Sequence, residues 1–206
     1  MTYNSGTEGN SSNADKDNLA IRKGEVGEYV INLQLASLPK DHKCLDDLMF
    51  LVGRRTTQID HLVVSPYGIF VIETKNYRGW LFGNDNCKHW TQTFGKNARY
   101  KLQNPIWQNK YHIKAVKSIL KDYENVKYYS IISISRNAIL KVRPKSKDGS
   151  YYVVFNNEVA DTIRSKRIGK CLTDEQVNTI IEKLQAANIT TPHLRAAHNK
   201  KGSERE

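Results

Sequence analysis

Four polar residues could do chemistry together: Gln58, Asp60, Glu73 and Lys75. They lie on two apolar runs, 57–65 and 68–75, joined at Ser65-Pro-Tyr-Gly68. Pro at the second position and Gly at the fourth suit a type I turn. If Ser65 pairs with Gly68, Asp60 falls opposite Glu73 and Gln58 opposite Lys75. Alternation with period two then puts all four on one face, unless a bulge at the turn shifts the register. Two carboxylates facing each other across a strand pair repel. A divalent cation with oxygen ligands would neutralise Asp60 and Glu73, and Lys75 beside it would be a point charge for a phosphate or a water. The plainer reading of the same residues is a cross-strand salt bridge.

The elements that must position these residues read as follows. Val, Ile and Phe fill both runs, as strands prefer. Leu62, Val64, Ile69 and Val71 are expected on one face and Ile59, Val63, Phe70 and Ile72 on the other. Strands apolar on both faces belong in the middle of a covered sheet. Upstream, 24–38 is expected to be a helix, with Val26, Tyr29, Val30 and Leu33 at helical spacing and Pro39 as its stop. Glu25 and Glu28 sit in its first turns, where the helix dipole favours acids. Glu28 either serves that purpose or reaches the Asp60/Glu73 pair. Leu48–Val52 is a short strand, and Arg54 and Arg55 lead from it into the acidic strand, as phosphate contacts or as a charged loop.

Beyond Lys75, Asn76–Gly79 is a loop containing Arg78. Short strands are expected at 80–83 and 88–92, with Phe94–Lys101 irregular and Trp80 and Trp90 as packing residues. Asn104 and Pro105 are the N-cap and first residue of a long helix with Ile106, Ile113, Val116 and Leu120 buried. Gln108 and His112 share one of its faces. Gln108 either positions a substrate or water or is a surface amide. Lys110 and Lys114 make the solvent-facing sides basic. Strands at 128–135 and 151–155 flank a basic loop over 136–150, a short helix follows at 157–165, and Thr173-Asp-Glu-Gln176 is a capping box opening a helix on Val177, Ile180, Ile181 and Leu184. Residues 1–20 and 190–206 are polar and expected to be disordered tails.

The chain has 206 residues and a net charge of +11, which favours a polyanionic partner such as nucleic acid or an anionic surface, without choosing between them. No apolar run is long enough to span a bilayer and the N-terminus lacks the features of a signal peptide, so a cytoplasmic location without membrane contact is expected. Three cysteines, Cys44, Cys87 and Cys171, are odd in number and widely spaced, which argues against a disulfide framework. The one-residue spacing of His42-Lys-Cys44 and Cys87-Lys-His89 is unusual for structural zinc.

In order, the elements are a helix with Glu28, a strand, the Asp60 strand, the Glu73-Thr-Lys75 strand and a helix with Gln108. This order resembles the nuclease-related domain (NERD) family, a branch of the PD-(D/E)xK nuclease superfamily. The resemblance rests on Gly24-Glu25, Gly27-Glu28, Gln58-Ile-Asp60, Gly68-Ile-Phe-Val-Ile-Glu-Thr-Lys-Asn76, Gly79, Trp90 and Asn104-Pro105 with Gln108 and His112. It implies a restriction-endonuclease-like α/β core over 21–135, a mixed central β-sheet flanked by helices. Residues 136–189 are expected to complete or extend that domain.

The resemblance further implies a Mg²⁺-dependent nuclease acting on DNA. Asp60 and Glu73 would be ligands of Mg²⁺ (or Mn²⁺), and Lys75 would help activate the attacking water or stabilise charge on the phosphate. Glu28 and Gln108 match the family's polar positions on the two helices. Arg54, Arg55, Arg78, Lys110 and Lys114 are the candidate nucleic-acid contacts, and no small-molecule cofactor is expected. The superfamily's proline before the aspartate is replaced by Ile59. A domain that keeps the fold and binds nucleic acid without cutting it is the alternative.

Overall fold

A computed structural model of the chain describes residues 28–95, 98–141, 146 and 148–203. The N-terminal tail, Glu25 and Val26 lie outside the described residues. Two mixed sheets flanked by helices make an α/β fold of the restriction-endonuclease-like kind. The first sheet has the order β1-β2-β3-β7-β9 and contains β1 (Lys43–Val52), β2 (Arg55–Ser65), β3 (Gly68–Lys75), β7 (Tyr128–Ile134) and β9 (Tyr151–Phe155). Its first three strands are antiparallel, and β7 and β9 add in parallel. The second sheet, β6-β5-β4-β8, contains β4 (Gly79–Phe82), β5 (His89–Phe94), β6 (Ala98–Gln103) and β8 (Ala138–Leu140). Five α-helices are described, α1 (28–36), α2 (Pro105–Ile119), α3 (Val159–Arg164), α4 (Asp174–Ala187) and α5 (Pro192–Ser203), with a 3-10 turn at Asn156–Glu158 leading into α3.

Strand β3 is central, and Ile69, Phe70, Val71 and Ile72 are fully buried. Burying each such side chain contributes about 1.5–3 kcal/mol. On one face, Ile69 and Val71 pack with Ala115, Val116 and Leu120 beside α4's Val177, Ile180 and Leu184. On the other, Phe70 and Ile72 pack with Ile31 and Leu35 of α1 and Val159 and Ile163 of the α3 segment. The turn before β3 needs glycine. Gly68 has φ of +137°, and a Cβ there would lie 2.6 Å from the Lys127 carbonyl oxygen.

Several expectations change. Helix α1 buries Ile31 and Leu35, while Tyr29 and Leu33 are exposed. Ile31 and Leu35 are i,i+4 neighbours, so the buried stripe is rotated about the helix from the expected one. The segment 94–101, expected to be irregular, contains most of β6, which pairs with β5 despite its basic composition. Trp90 is buried as expected, but Trp80 is exposed. In place of a disordered C-terminal tail stands α5, where Arg195 pairs with Asp47 and donates to the Ile189 carbonyl, and His198 Nδ1 lies 2.8 Å from Thr56 Oγ1. Just before it, Asn188 and Ile189 bond Met49 and shield the outer edge of β1.

Ile59 was expected on the face opposite Leu62, yet both pack in one cluster. The register of β1 on β2 is the same on both sides, Asp46↔His61 and Leu48↔Ile59, but the Asp47–Asp60 step between them lacks a pair and Asp47 takes φ of +52°. Alternation breaks at that step, and both strands exchange faces there.

Candidate active site

The site grows from that break. Pairing of β2 with β3 follows the expected register from Ser65↔Gly68 to His61↔Ile72 and then stops. The next residue, Asp60, reaches β3 through its side chain: Oδ2 accepts the Thr74 backbone N–H at 2.8 Å. Glu73 is buried on the α2 side of β3 and both its oxygens are engaged. Lys75 Nζ lies 2.8 Å from Oε1, and His112 Nε2 lies 2.7 Å from Oε2. His112 in turn has Nδ1 2.6 Å from Thr57 Oγ1.

Helix α2 holds His112 in place through conventional means. The Asn104 side chain caps the helix by accepting the Ile106 N–H, and Pro105 occupies the first turn. One turn before His112, on the buried side of the helix, Asn109 donates through Nδ2 to the carbonyls of Val71 and Ile131 and to Ser130 Oγ. It thereby clips α2 to β3 and β7 across the sheet.

Charge in the site is uneven. Burial, with the Glu73 charge adding to it, pushes the Asp60 carboxyl up to about 7. Burial would also raise Glu73, but the Lys75 ammonium and the His112 hydrogen bond outweigh it and hold Glu73 down to about 2. Burial works against the Lys75 cation, and the Glu73 charge more than offsets it, so its pKa is raised. Glu73 and Lys75 form an ion pair at neutral pH, whereas Asp60 is partly protonated there, because Lys75 and the Thr74 N–H compensate its charge only in part. A cation would relieve that charge. Two carboxylates suit Mg²⁺, which takes one or two of them and keeps several waters. Among the described residues, no group of three or more His, Cys, Asp and Glu is disposed to hold a metal.

The other candidates lie on several elements. Gln58 donates to Asp47 Oδ1 on the neighbouring strand at 2.6 Å, and Thr57, not Gln58, joins the Glu73–His112 group. This follows from the face exchange at Asp60. Glu28 is exposed on α1. Gln108 is half-buried on α2, one turn before His112. Arg54 and Arg55 are exposed at the β1–β2 turn, Arg78 in the loop after Lys75, and Lys110 and Lys114 on the outer side of α2.

His112, Thr57, Asn109 and Asp47 carried no assigned role in the sequence. A signal existed for Asp47: a tight turn at Gly53-Arg54 sets it opposite Asp60. His112 lies at i+4 from Gln108, but nothing in the sequence indicates which of the two the helix turns inward.

The fold is of the restriction-endonuclease-like kind, with two carboxylates and a lysine near the end of the β2–β3 pairing, and comparison with known proteins places the chain in a family. The model of the family described as the nuclease-related domain (NERD) matches residues 23–135, more than half of the chain. The chain belongs to this family. It is also 33% identical over 187 residues to an uncharacterized protein of Bacillus anthracis, covering 86% of this chain and 85% of that relative.

Proposed function

We propose that the protein is a Mg²⁺-dependent nuclease that hydrolyses DNA phosphodiester bonds in DNA processing or defence. The observation that carries this reading is the pair of unlike carboxylates: Glu73, buried and held ionised by Lys75 and His112, and Asp60, half-buried and raised to about 7. Asp60 and Glu73 would hold Mg²⁺ or Mn²⁺, which would supply Lewis acidity toward the phosphoryl oxygens and a more acidic water. Glu73 is ionised at neutral pH, and Asp60 would be available as a ligand once its proton is released. Lys75 stays protonated beside Glu73, so its role is to stabilise negative charge on the phosphate by hydrogen bonding, not to accept a proton. His112 fixes the Glu73 carboxylate, and Glu28 and Gln108 assist from α1 and α2. Arg54, Arg55, Arg78, Lys110 and Lys114 hold the polyanion by salt-sensitive phosphate contacts. The free thiols of Cys44, Cys87 and Cys171 fit the reducing cytoplasm as its location.

One observation favours a second reading, a module that binds nucleic acid without cutting it. Both Glu73 oxygens already have protein partners, so the cluster is satisfied as it stands. Incubating wild type and Asp60→Ala with plasmid, linear duplex and single-stranded DNA in Mg²⁺ and in Mn²⁺ decides between them. Cleavage by wild type alone supports the nuclease, and the preferred substrate separates endonuclease from exonuclease action. Binding without cleavage in either metal supports the module. Equal cleavage by both proteins removes the site.

A further inference from the structure

The second sheet packs one face against the first sheet and leaves most of the other open, although Thr93 on the open face is buried. Leu81, Trp90 and Ala138 are buried, packing with Ile132, Ile134 and Val153 of the first sheet. Side chains of the opposite parity form two rows across the strands. One row is Ile139, Trp80, Thr93 and Arg99, fixed by the pairs Trp80↔Ile139, Trp80↔Thr93 and Thr93↔Arg99. The other contains Phe82, Thr91 and Lys101, with Lys141 next in line after Leu140. Trp80, Phe82 and Ile139 are 44%, 38% and 52% exposed, and Arg99, Lys101 and Lys141 are exposed as well. Lys141 Nζ lies 3.9 Å from the centre of the Trp80 ring, which fixes its side chain on this face. None of the four strands contains an acidic residue.

We propose that this face is a docking platform for an unpaired nucleic-acid strand, with bases stacking on Trp80 and Phe82 and phosphates meeting Arg99, Lys101 and Lys141. The inference rests on the nucleic-acid reading above and assigns it a substrate form. Trp80 and Phe82 are two residues apart on one strand face, about 7 Å. Aromatic rings interleaved with cations on an open sheet are what flexible, unstacked bases need. A duplex buries its base faces against one another and has nothing to offer the rings. An exposed cation–π contact is weaker than base stacking, so a base can displace Lys141 from Trp80 and leave its ammonium for the adjoining phosphate. The platform also has a route to the carboxylates. Trp80 follows Lys75 by five residues, at most about 18 Å of chain, so a strand docked here can run on toward the site.

The test is fluorescence anisotropy in EDTA, which prevents cleavage, with a labelled poly-dT strand and a duplex of the same length. A poly-U strand run alongside separates DNA from RNA as the source of the unpaired bases. Trp80→Ala/Phe82→Ala should bind the unpaired strand at least tenfold more weakly while duplex binding changes little. Arg99→Glu/Lys101→Glu, confined to exposed positions, should also weaken unpaired-strand binding and flatten its salt dependence. Unchanged unpaired-strand affinity in both variants overturns the platform, as does an equal loss for strand and duplex. If wild type binds neither probe, the nucleic-acid reading falls along with the platform.

Discussion

His112 joins Glu73 to Thr57: its Nε2 is 2.7 Å from Glu73 Oε2 and its Nδ1 is 2.6 Å from Thr57 Oγ1. An ionised carboxylate only accepts, so Nε2 carries a proton, and in the neutral ring Nδ1 accepts from the Thr57 hydroxyl. The imidazole thus links β2 to β3 through α2 just beyond where backbone pairing of the two strands ends at His61↔Ile72. It replaces ladder hydrogen bonds with a side-chain bridge and fixes the Glu73 rotamer.

Removing that bridge should be costly. His112→Ala leaves a buried carboxylate oxygen and a buried hydroxyl without their partner, at about 1–3 kcal/mol for each group. Urea denaturation should show a total loss of about 3 kcal/mol, and a double-mutant cycle with Thr57→Val should show clear coupling. Additive losses would mean that the Thr57 contact contributes nothing.

The two carboxylates should respond in opposite directions to neutralisation. Asp60→Asn removes a charge compensated only in part while keeping an acceptor for the Thr74 N–H, so the metal-free protein should melt at a higher temperature at pH 8. Glu73→Gln leaves the Lys75 cation without its ion-pair partner and should cost about 3 kcal/mol or more. Thermal melts of the two variants side by side check this. Destabilisation of both to the same degree would contradict the uneven charge of the site.

The pH dependence has a definite sign. The Asp60 pKa is raised in the folded protein from 3.8 to about 7. Its contribution to stability is therefore complete below pH 3.8 and is lost as pH rises through about 7. Between pH 5 and pH 8, wild type without metal should lose stability relative to Asp60→Asn. Saturating Mg²⁺ should reduce that difference if a cation takes the place of the proton. Calorimetry of both proteins across this range, with and without Mg²⁺, is the measurement.

Gly68→Ala should disturb the hairpin without touching the charged groups. The residue has φ of +137° and an added Cβ would lie 2.6 Å from the Lys127 carbonyl oxygen. A cost of about 1–3 kcal/mol is expected from the backbone conformation alone, with the steric clash adding to it. Denaturation midpoints would register the loss.

Much of this molecule was legible in the amino-acid order because local rules suffice for it. Ser65-Pro-Tyr-Gly68 dictates its own turn, and a turn sets register outward along both strands, so the alignment of β2 on β3 follows as far as His61. Asn104 with Pro105 and the Thr173–Gln176 box satisfy their own helix ends, which is why α2 and α4 begin where the sequence says. The carboxylates and lysine stood out because acids inside apolar strands demand compensation.

Tertiary structure alone decided where alternation fails and which faces turn inward. Period two holds only while a strand stays regular. The break at Asp47 and Asp60 exchanges faces, so that Thr57 and not Gln58 joins Glu73. On α1 and α2 the sequence offers more than one plausible stripe. Packing against β3 selects Ile31 with Leu35, and Asn109 with His112. Helix α5 is polar and has no strong local signal, and it is held by distant partners, Asp47 and Thr56. A sequence determines contacts between neighbours; those between residues far apart in the chain exist only once the sheet has brought them together.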